Sequence, residues 1–306
     1  MPEFDLIRRL QKIIETPSVH GAGCVVGIGD DAAVLEAPPG KQLAVCTDTL
    51  VEGVHFSAGT SARAVGHKSL AVNLSDLAAM GAEPSWFLLA LTLPEAEPAW
   101  LDDFAEGMAA LAGQSGIRLV GGDTTSGPLN ICVTAAGLVD PGQALTRNGA
   151  RPGDLVVVSG VPGRAALALE QLGAGLEPQP AVGKALDYPQ PRLELGLALR
   201  GLASACIDVS DGLRADLGHI LEQSGLGAEI DLAALPVEAS LEIIPPRRRW
   251  PLQLAGGDDY ELCFTVPSAQ AGRLEQASAS GGVALSVIGR VREERGILVR
   301  EPGGQT

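Results

Sequence analysis

The residues best able to do chemistry lie in six Asp-bearing segments spread over most of the chain. They read GIGDDAAV from Gly27, TDTLVEGVHF from Thr47, NLSDLAAMGA from Asn73, GGDTTSG from Gly121, DVSDGL from Asp208 and GGDDYELCF from Gly256. Most follow an apolar run and set Gly or Ser beside the acid, the pattern of turns at strand ends. Converging carboxylates repel one another and are costly to desolvate, so several together imply bound cations. Hard oxygen ligands without His or Cys imply Mg2+ or Ca2+, not zinc. Mg2+ commonly takes one or two carboxylates and bridges to substrate phosphates, so the same acids favour a phosphate-bearing substrate.

Each acid also has a purely local reading, because Asp at a turn or N-cap satisfies orphan backbone N–H groups. Asp211, just before Gly212 and Leu213, reads as the cap of the following helix. Asp76 lies mid-helix between Leu74 and Leu77, where Asp is intrinsically poor, and Asp48 closes the buried run Leu43–Cys46. Those two read as functional. His55 reads equally as a phosphate or substrate contact and as a hydrogen-bonded structural residue, whereas His67 and His219 read as structural. Arg147, in LTRNGARPGD, has the fork to clamp a phosphate or is an ordinary loop arginine.

Several familiar chemistries are excluded. Gly27-Ile28-Gly29-Asp30-Asp31-Ala32 imitates a dinucleotide fingerprint with Asp48 about 20 residues on. That motif needs a helix after its glycines, whereas Pro38-Pro39 arrives too soon and the intervening residues favour a strand. No phosphate-binding G-x-x-x-x-G-K-[ST] loop, protein-kinase motif, Gly-x-Ser-x-Gly elbow or EF-hand loop occurs. The formal net charge of −15 argues against nucleic-acid binding. The basic run Arg247–Arg249 reads as a solvated loop. No apolar run approaches a membrane span and no secretory signal is visible. The five cysteines are odd in number, lie in or beside apolar runs and form no C-x-x-C pair, so they read as reduced residues of a cytoplasmic protein.

The elements that must position these residues alternate. Phe4–Glu15 reads as an amphipathic helix, Ala33–Leu35 and Leu43–Cys46 as strands, Ser61–Met80 as a helix with Ser61 as N-cap, and Trp86–Leu93 as a buried strand. Trp100–Ser115 reads as a helix, with strands Ile117–Val120 and Ile131–Val139 flanking GGDTTSG. Turn signals at residues 140–142 and 151–154 bracket a domain boundary. Beyond it come strand Leu155–Ser159, helix Gly163–Leu172, a Pro/Gly-rich connection to Pro191, helix Arg192–Leu202, strand Ala205–Val209 and helix Leu213–Gln223. Strands near Ala228–Leu232, Glu261–Val266 and Ala284–Val291 follow.

Taken in order, the six segments resemble the thiamine-monophosphate kinase family, of the aminoimidazole-ribonucleotide-synthetase-like (PurM-like) superfamily, from Phe4 to about Arg290. The resemblance implies a two-domain α/β (α+β) fold. Residues 1–141 would form a metal- and ATP-binding sheet domain that pairs across a homodimer, and residues 142–306 an α/β domain closing over the nucleotide. It implies ATP-dependent phosphorylation of thiamine monophosphate to thiamine diphosphate with several Mg2+ ions. By matching motif, Asp31, Thr47, Asp48, Asp76, Asp123 and Asp208 correspond to metal ligands and Asp211 to a ligand of an outer metal. Gly122, Asp123, Arg147 and Ser210 correspond to nucleotide contacts, and His55 and Asp258 to thiamine-phosphate contacts. Three departures stand out: Asp258 where Glu is frequent, Cys46 where Ser or Thr is usual, and a tail from Glu301 to Thr306 without the family's aromatic residue. The alternatives are a related ATP-using enzyme with another acceptor, such as formylglycinamidine ribonucleotide or selenide (for which Cys24 would be the reactive thiol), and a non-catalytic divalent-ion binder. An acceptor phosphate monoester, with its second pKa about 6, is largely ionised at neutral pH. No general base is therefore expected, and transfer is expected to be direct and in line, without a phosphoenzyme.

Overall fold

The computed structural model describes residues 3–14 and 23–303. The chain divides into two compact units, Met1–Leu77 with Ala82–Gly142 and Ala78–Gly81 with Gln143–Thr306. The last residue of the expected first helix, Glu15, and the tail from Gly304 lie outside the described residues.

In the first unit, helix α1 (Glu3–Ile14) precedes a ribbon of β1 (Cys24–Val26) and β2 (Val34–Leu35). A four-stranded sheet follows, from β3 (Gln42–Val51), β4 (Glu83–Leu93), β5 (Arg118–Ser126) and β6 (Asn130–Val139), with α2 (Ala62–Ala79) and α3 (Pro98–Ser115) between its strands. The order is β3-β6-β4-β5, antiparallel except for the parallel β4–β5 pair. Alternation divides the faces. Phe87, Leu89 and Leu91 of β4 and Ile131 and Val133 of β6 are buried on one side. On the other, Leu43 and Val45 of β3 are 46% and 59% exposed. Helix α2 begins where the Ser61 hydroxyl accepts the Ala64 N–H at 3.3 Å, as expected of an N-cap. It is buried nearly all round, including Ser69, Asn73 and Ser75. Its packing on α3 is backbone to backbone. A Cβ on Gly66 would stand 2.0 Å from the Phe104 carbonyl oxygen, and one on Gly107 2.0 Å from that of Arg63.

Two expectations for this unit change. β3 runs on to Val51, so Asp48 sits inside a strand, and β5 runs through Gly121–Ser126, so Asp123 is a strand residue too. GGDTTSG has turn composition, but ladder pairing with β4 overrides it.

The second unit is built on a six-stranded sheet, order β12-β9-β11-β7-β10-β8. The strands are β7 (Leu155–Ser159), β8 (Ala205–Asp208), β9 (Gly227–Asp231), β10 (Leu262–Val266), β11 (Leu285–Arg292) and β12 (Gly296–Arg300). Every residue of central β7 and β10 is buried, which is why both read as unbroken apolar runs. One face packs on α7 (Leu213–Ser224), through Leu213, Leu217 and Ile220. The other packs on α6 (Leu193–Ala198) and α10 (Leu274–Gly281), through Leu195 and Ala277. Helix α4 (Arg164–Gly173) makes a smaller core with Val182, Leu186, Leu241 and Ile244.

The supposed Pro/Gly connection contains helix α5 (Pro180–Asp187), in which Pro180 opens the first turn, where a missing N–H is harmless, and Val182 and Leu186 are buried four apart. Arg247–Arg249 lie not in a loop but in helix α9 (Pro246–Ala255), after the short α8 (Ala239–Glu242). Pro246 starts α9 for the same reason. Strand β12, not expected from the sequence, pairs parallel to β9. Among the described residues no helix is long and apolar enough to cross a membrane.

Candidate functional site

The first unit brings Asp48 and Asp76 together. Asp48 projects from β3 toward α2, as does Cys46 two residues earlier, because the pleat returns every second side chain to one face. Asp76 stands on α2 and shares a side-chain hydrogen bond with Asp48. Burial pushes the Asp48 carboxyl above the ordinary carboxylate range, against the opposing pull of the Asp76 bond and of His55. Two carboxyls in contact must hold either a proton or a cation. Both offer hard oxygen donors, so the pair fits Mg2+.

Cys46 lies against the pair, sharing a side-chain hydrogen bond with Asp76, but offers no hard oxygen donor. Its thiol faces the Asn73 carbonyl at 3.4 Å, and burial, together with the charges of Asp76 and Asp48, raises its pKa. The Thr47 side chain points to the opposite face, where its hydroxyl donates to the Val133 carbonyl at 3.1 Å, so only the Thr47 backbone shares a side with the pair. His55 closes the turn after β3, its Nδ1 accepting the Val51 N–H at 3.0 Å. Lys68, passed over in the sequence because it sits in an apolar-periodic helix, is 3% exposed and donates to the His55 carbonyl at 3.3 Å.

Asp123 is not brought to this pair within the sheet. Asp48 faces Val133, Val133 faces Leu89 and Leu89 faces Gly122, so Asp48 and Gly122 end one row that crosses all four strands, and Asp123 ends the next, which begins at Thr49. Three strand spacings of about 4.8 Å separate the two ends of a row by roughly 14 Å. β3 and β5 are the two edges of the sheet. Gly122 has φ +153°, and a Cβ there would lie 1.9 Å from the Leu89 carbonyl oxygen, so no other residue fits without moving the strand. Asp31 is exposed in the bend between β1 and β2.

The second unit gathers Asp208, Ser210, Asp211 and Asp258. Asp208 ends β8 and is 5% exposed. The Asp258 N–H donates to the Ser210 carbonyl at 2.9 Å, and the Tyr260 N–H to the Val209 carbonyl at 2.8 Å, so loop 256–260 is zipped to the turn after β8. Asp211 does not cap α7. Gly212 occupies the N-cap without a side-chain bond. Asp216, one turn into the helix, reaches back instead, and its Oδ2 accepts the N–H groups of Ser210, Asp211 and Gly212, each at 3.0 Å. The sequence signal for this was an acid in the first helical turn. Ligand atoms of Asp211, Asp216 and His219 lie within 4.8 Å of one another. Arg147 is exposed on a segment running along the free edge of β8, where the Cys206 N–H donates to the Thr146 carbonyl at 2.9 Å.

Asp259, also unmarked in the sequence, accepts the Gly163 N–H at 2.7 Å. Burial pushes its carboxyl up to about 8, with Glu261 adding to the shift and Arg164 opposing it. The fold therefore keeps a proton that the unfolded chain releases near pH 4. That contribution is complete below about pH 4 and is lost as pH rises through about 8. Asp259→Asn keeps an oxygen for Gly163 and is expected to flatten the fall in melting temperature between pH 5 and 8.5, and to melt above the parent at pH 8.5. Parallel melting curves would show that Asp259 is ionised in the fold.

Comparison with known proteins follows the same two-part division. The family model for the AIR synthase related protein N-terminal domain matches residues 29–139, and that for the C-terminal domain residues 151–300. The chain is 48% identical over 299 residues to the thiamine-monophosphate kinase of Escherichia coli O157:H7, covering 94% of this chain and 90% of the relative. The crystal structure of thiamine-monophosphate kinase from Stenotrophomonas maltophilia K279a superposes with a TM-score of 0.90 at 45% identity, over 98% of this chain and 96% of that one. The structure of AaThiL complexed with AMPPCP and TMP gives 0.77 at 32% identity, over 99% and 95%.

Proposed function

The chain belongs to the thiamine-monophosphate kinase family, and from that premise we propose that it transfers the γ-phosphoryl group of ATP to the phosphate of thiamine monophosphate, giving thiamine diphosphate. The observation that carries the reading is the Asp48–Asp76 contact, two carboxyls held together in a protein whose relative is known in complex with AMPPCP and TMP. Mg2+, when bound, would neutralise the phosphates of donor and acceptor and bring them into line. Asp48 and Asp76 would hold it in the first unit, with Asp31 and Asp123 as further ligands, and Asp208 and Asp211 in the second. Arg147 and Ser210 would contact ATP, and His55 and Asp258 the acceptor. An ionised acceptor phosphate is already a nucleophile, so these residues need only bind and orient it. Five free cysteines fit a reducing, cytoplasmic setting. The test is direct: purified protein, Mg-ATP and thiamine monophosphate are incubated and thiamine diphosphate is measured. ATP binding without product would point to another acceptor.

We further propose that the working form is a homodimer, with the β5 edge of one copy beside the β3 edge of the other. Two features support it. Closing two four-stranded sheets into one barrel removes both free edges and buries the open face carrying Leu43 and Val45. It also sets the strand that carries Asp123 beside the strand that carries Asp48 of the other copy, two strands that a single sheet keeps at its opposite edges. Asp48→Asn and Asp123→Asn chains, each inactive alone, are then expected to regain roughly a quarter of parental activity when co-expressed in equal amounts, since mixed dimers form half the population and hold one intact site each. No recovery in isolated mixed dimers would place both acids in the same chain's site.

A further inference from the structure

Asp258 and Tyr260 are the two non-glycine residues with positive φ, +65° and +51°, among the described residues. Backbone in this region is disfavoured for a side chain as large as tyrosine. Such a conformation persists only where the surroundings over-determine it, and here the anchors are identifiable. Glu261, fully buried at the end of the loop, receives both Arg192 Nε at 2.7 Å and Arg192 Nη2 at 2.6 Å, plus the Ser159 hydroxyl at 2.6 Å. The same Ser159 oxygen accepts the Leu262 N–H at 2.9 Å. Arg164 adds a longer contact to Glu261, 3.4 Å. Asp259 is pinned to the start of α4 through Gly163. With both flanks held, the Tyr260 hydroxyl meets Asp258 Oδ1 at 2.9 Å, beside Ser210.

We propose that Arg192 and Glu261, through Tyr260, are positioning residues for Asp258, setting the affinity for the phosphoryl acceptor without touching it. This rests on the reading of Asp258 as an acceptor contact. The fork is specific: a lysine at 192 keeps the charge but loses the two parallel bonds to Glu261.

The test is a kinetic cycle in the full-length chain. Arg192→Lys is expected to raise KM for thiamine monophosphate roughly tenfold, the cost of one misplaced charged hydrogen bond, leaving KM for ATP and kcat within about threefold. In an Asp258→Asn background the same change should add nothing to KM, because residues acting through one another are not additive. Tyr260→Phe, which removes one hydroxyl and leaves the buried pair intact, should raise the same KM and serves if Arg192→Lys fails to fold. An unchanged acceptor KM in Arg192→Lys or, failing that variant, in Tyr260→Phe, with Asp258→Asn impaired, overturns the positioning role alone. An equal multiplicative rise of KM with and without Asp258 overturns it as well. If Asp258→Asn itself leaves KM unchanged, the acceptor-contact reading fails instead.

Discussion

Asp48→Asn is expected to lower kcat by about 10³-fold or more while leaving the protein folded. The substitution is isosteric and removes one charge from the Asp48–Asp76 pair. Where catalysis rests on positioning and charge neutralisation, loss of one preorganised electrostatic group costs on the order of 10²–10³, and loss of a metal ligand more. Stability should move the other way. Burial raises the Asp48 carboxyl's pKa, so ionising it in the fold costs stability as pH rises, and a neutral amide escapes that cost. The expected signature is a melting temperature equal to or above the parent's, with product formation nearly abolished at saturating Mg2+ and ATP. Asp76→Asn should behave alike. Near-normal turnover in either variant would remove the pair from the site.

Gly66→Ala is expected to destabilise the first unit by about 2–3 kcal/mol, lowering its melting temperature by roughly 5–10 °C. Helix propensity alone predicts the reverse, since alanine is better than glycine by about 1 kcal/mol in a helix. Packing decides the sign. The new Cβ would lie 2.0 Å from the Phe104 carbonyl oxygen, and the obstacle is backbone, which has no rotamer to retreat to. Gly107→Ala meets the Arg63 carbonyl at the same distance and should cost a similar amount. Since either substitution forces α2 and α3 apart at one crossing, the double variant should lose less than the sum of the two. Calorimetry on the three variants checks both the sign and the coupling. Neutral singles would show that the helices slide apart freely.

Much of this protein was legible before its structure. Asp76 stands inside a buried helix as its apolar neighbours require, whereas Asp48 lies within β3, not at the end of a buried run, and the run before it is half open. The helices at residues 62–79 and 213–224 are plain. What the sequence concealed has a common cause: a residue's partner decided its role. Asp211 looked like a cap, and Asp216 does that work from within the helix. GGDTTSG looked like a turn because glycine and threonine say nothing of the β4 ladder they join. Pro180 and Pro246 stand in segments that read as connection and loop, yet each sits in the first turn of a helix, where proline is tolerated. Glu261 gave no signal, since its arginine comes from 69 residues away.

Asp216 also decides how this chain can treat an anion. The start of an α-helix, with its unpaired N–H groups and positive dipole end, is the ordinary protein device for gripping a phosphate. In the turn that leads into α7 the chain supplies its own anion: the amides of Ser210, Asp211 and the N-cap Gly212 all point to the Asp216 carboxylate. Helix α7 thus carries an internal counter-ion, and an incoming phosphate would meet a negative charge where a vacant amide cradle would otherwise stand. A phosphate brought to this turn would therefore need a cation between it and Asp216, or a different set of donors.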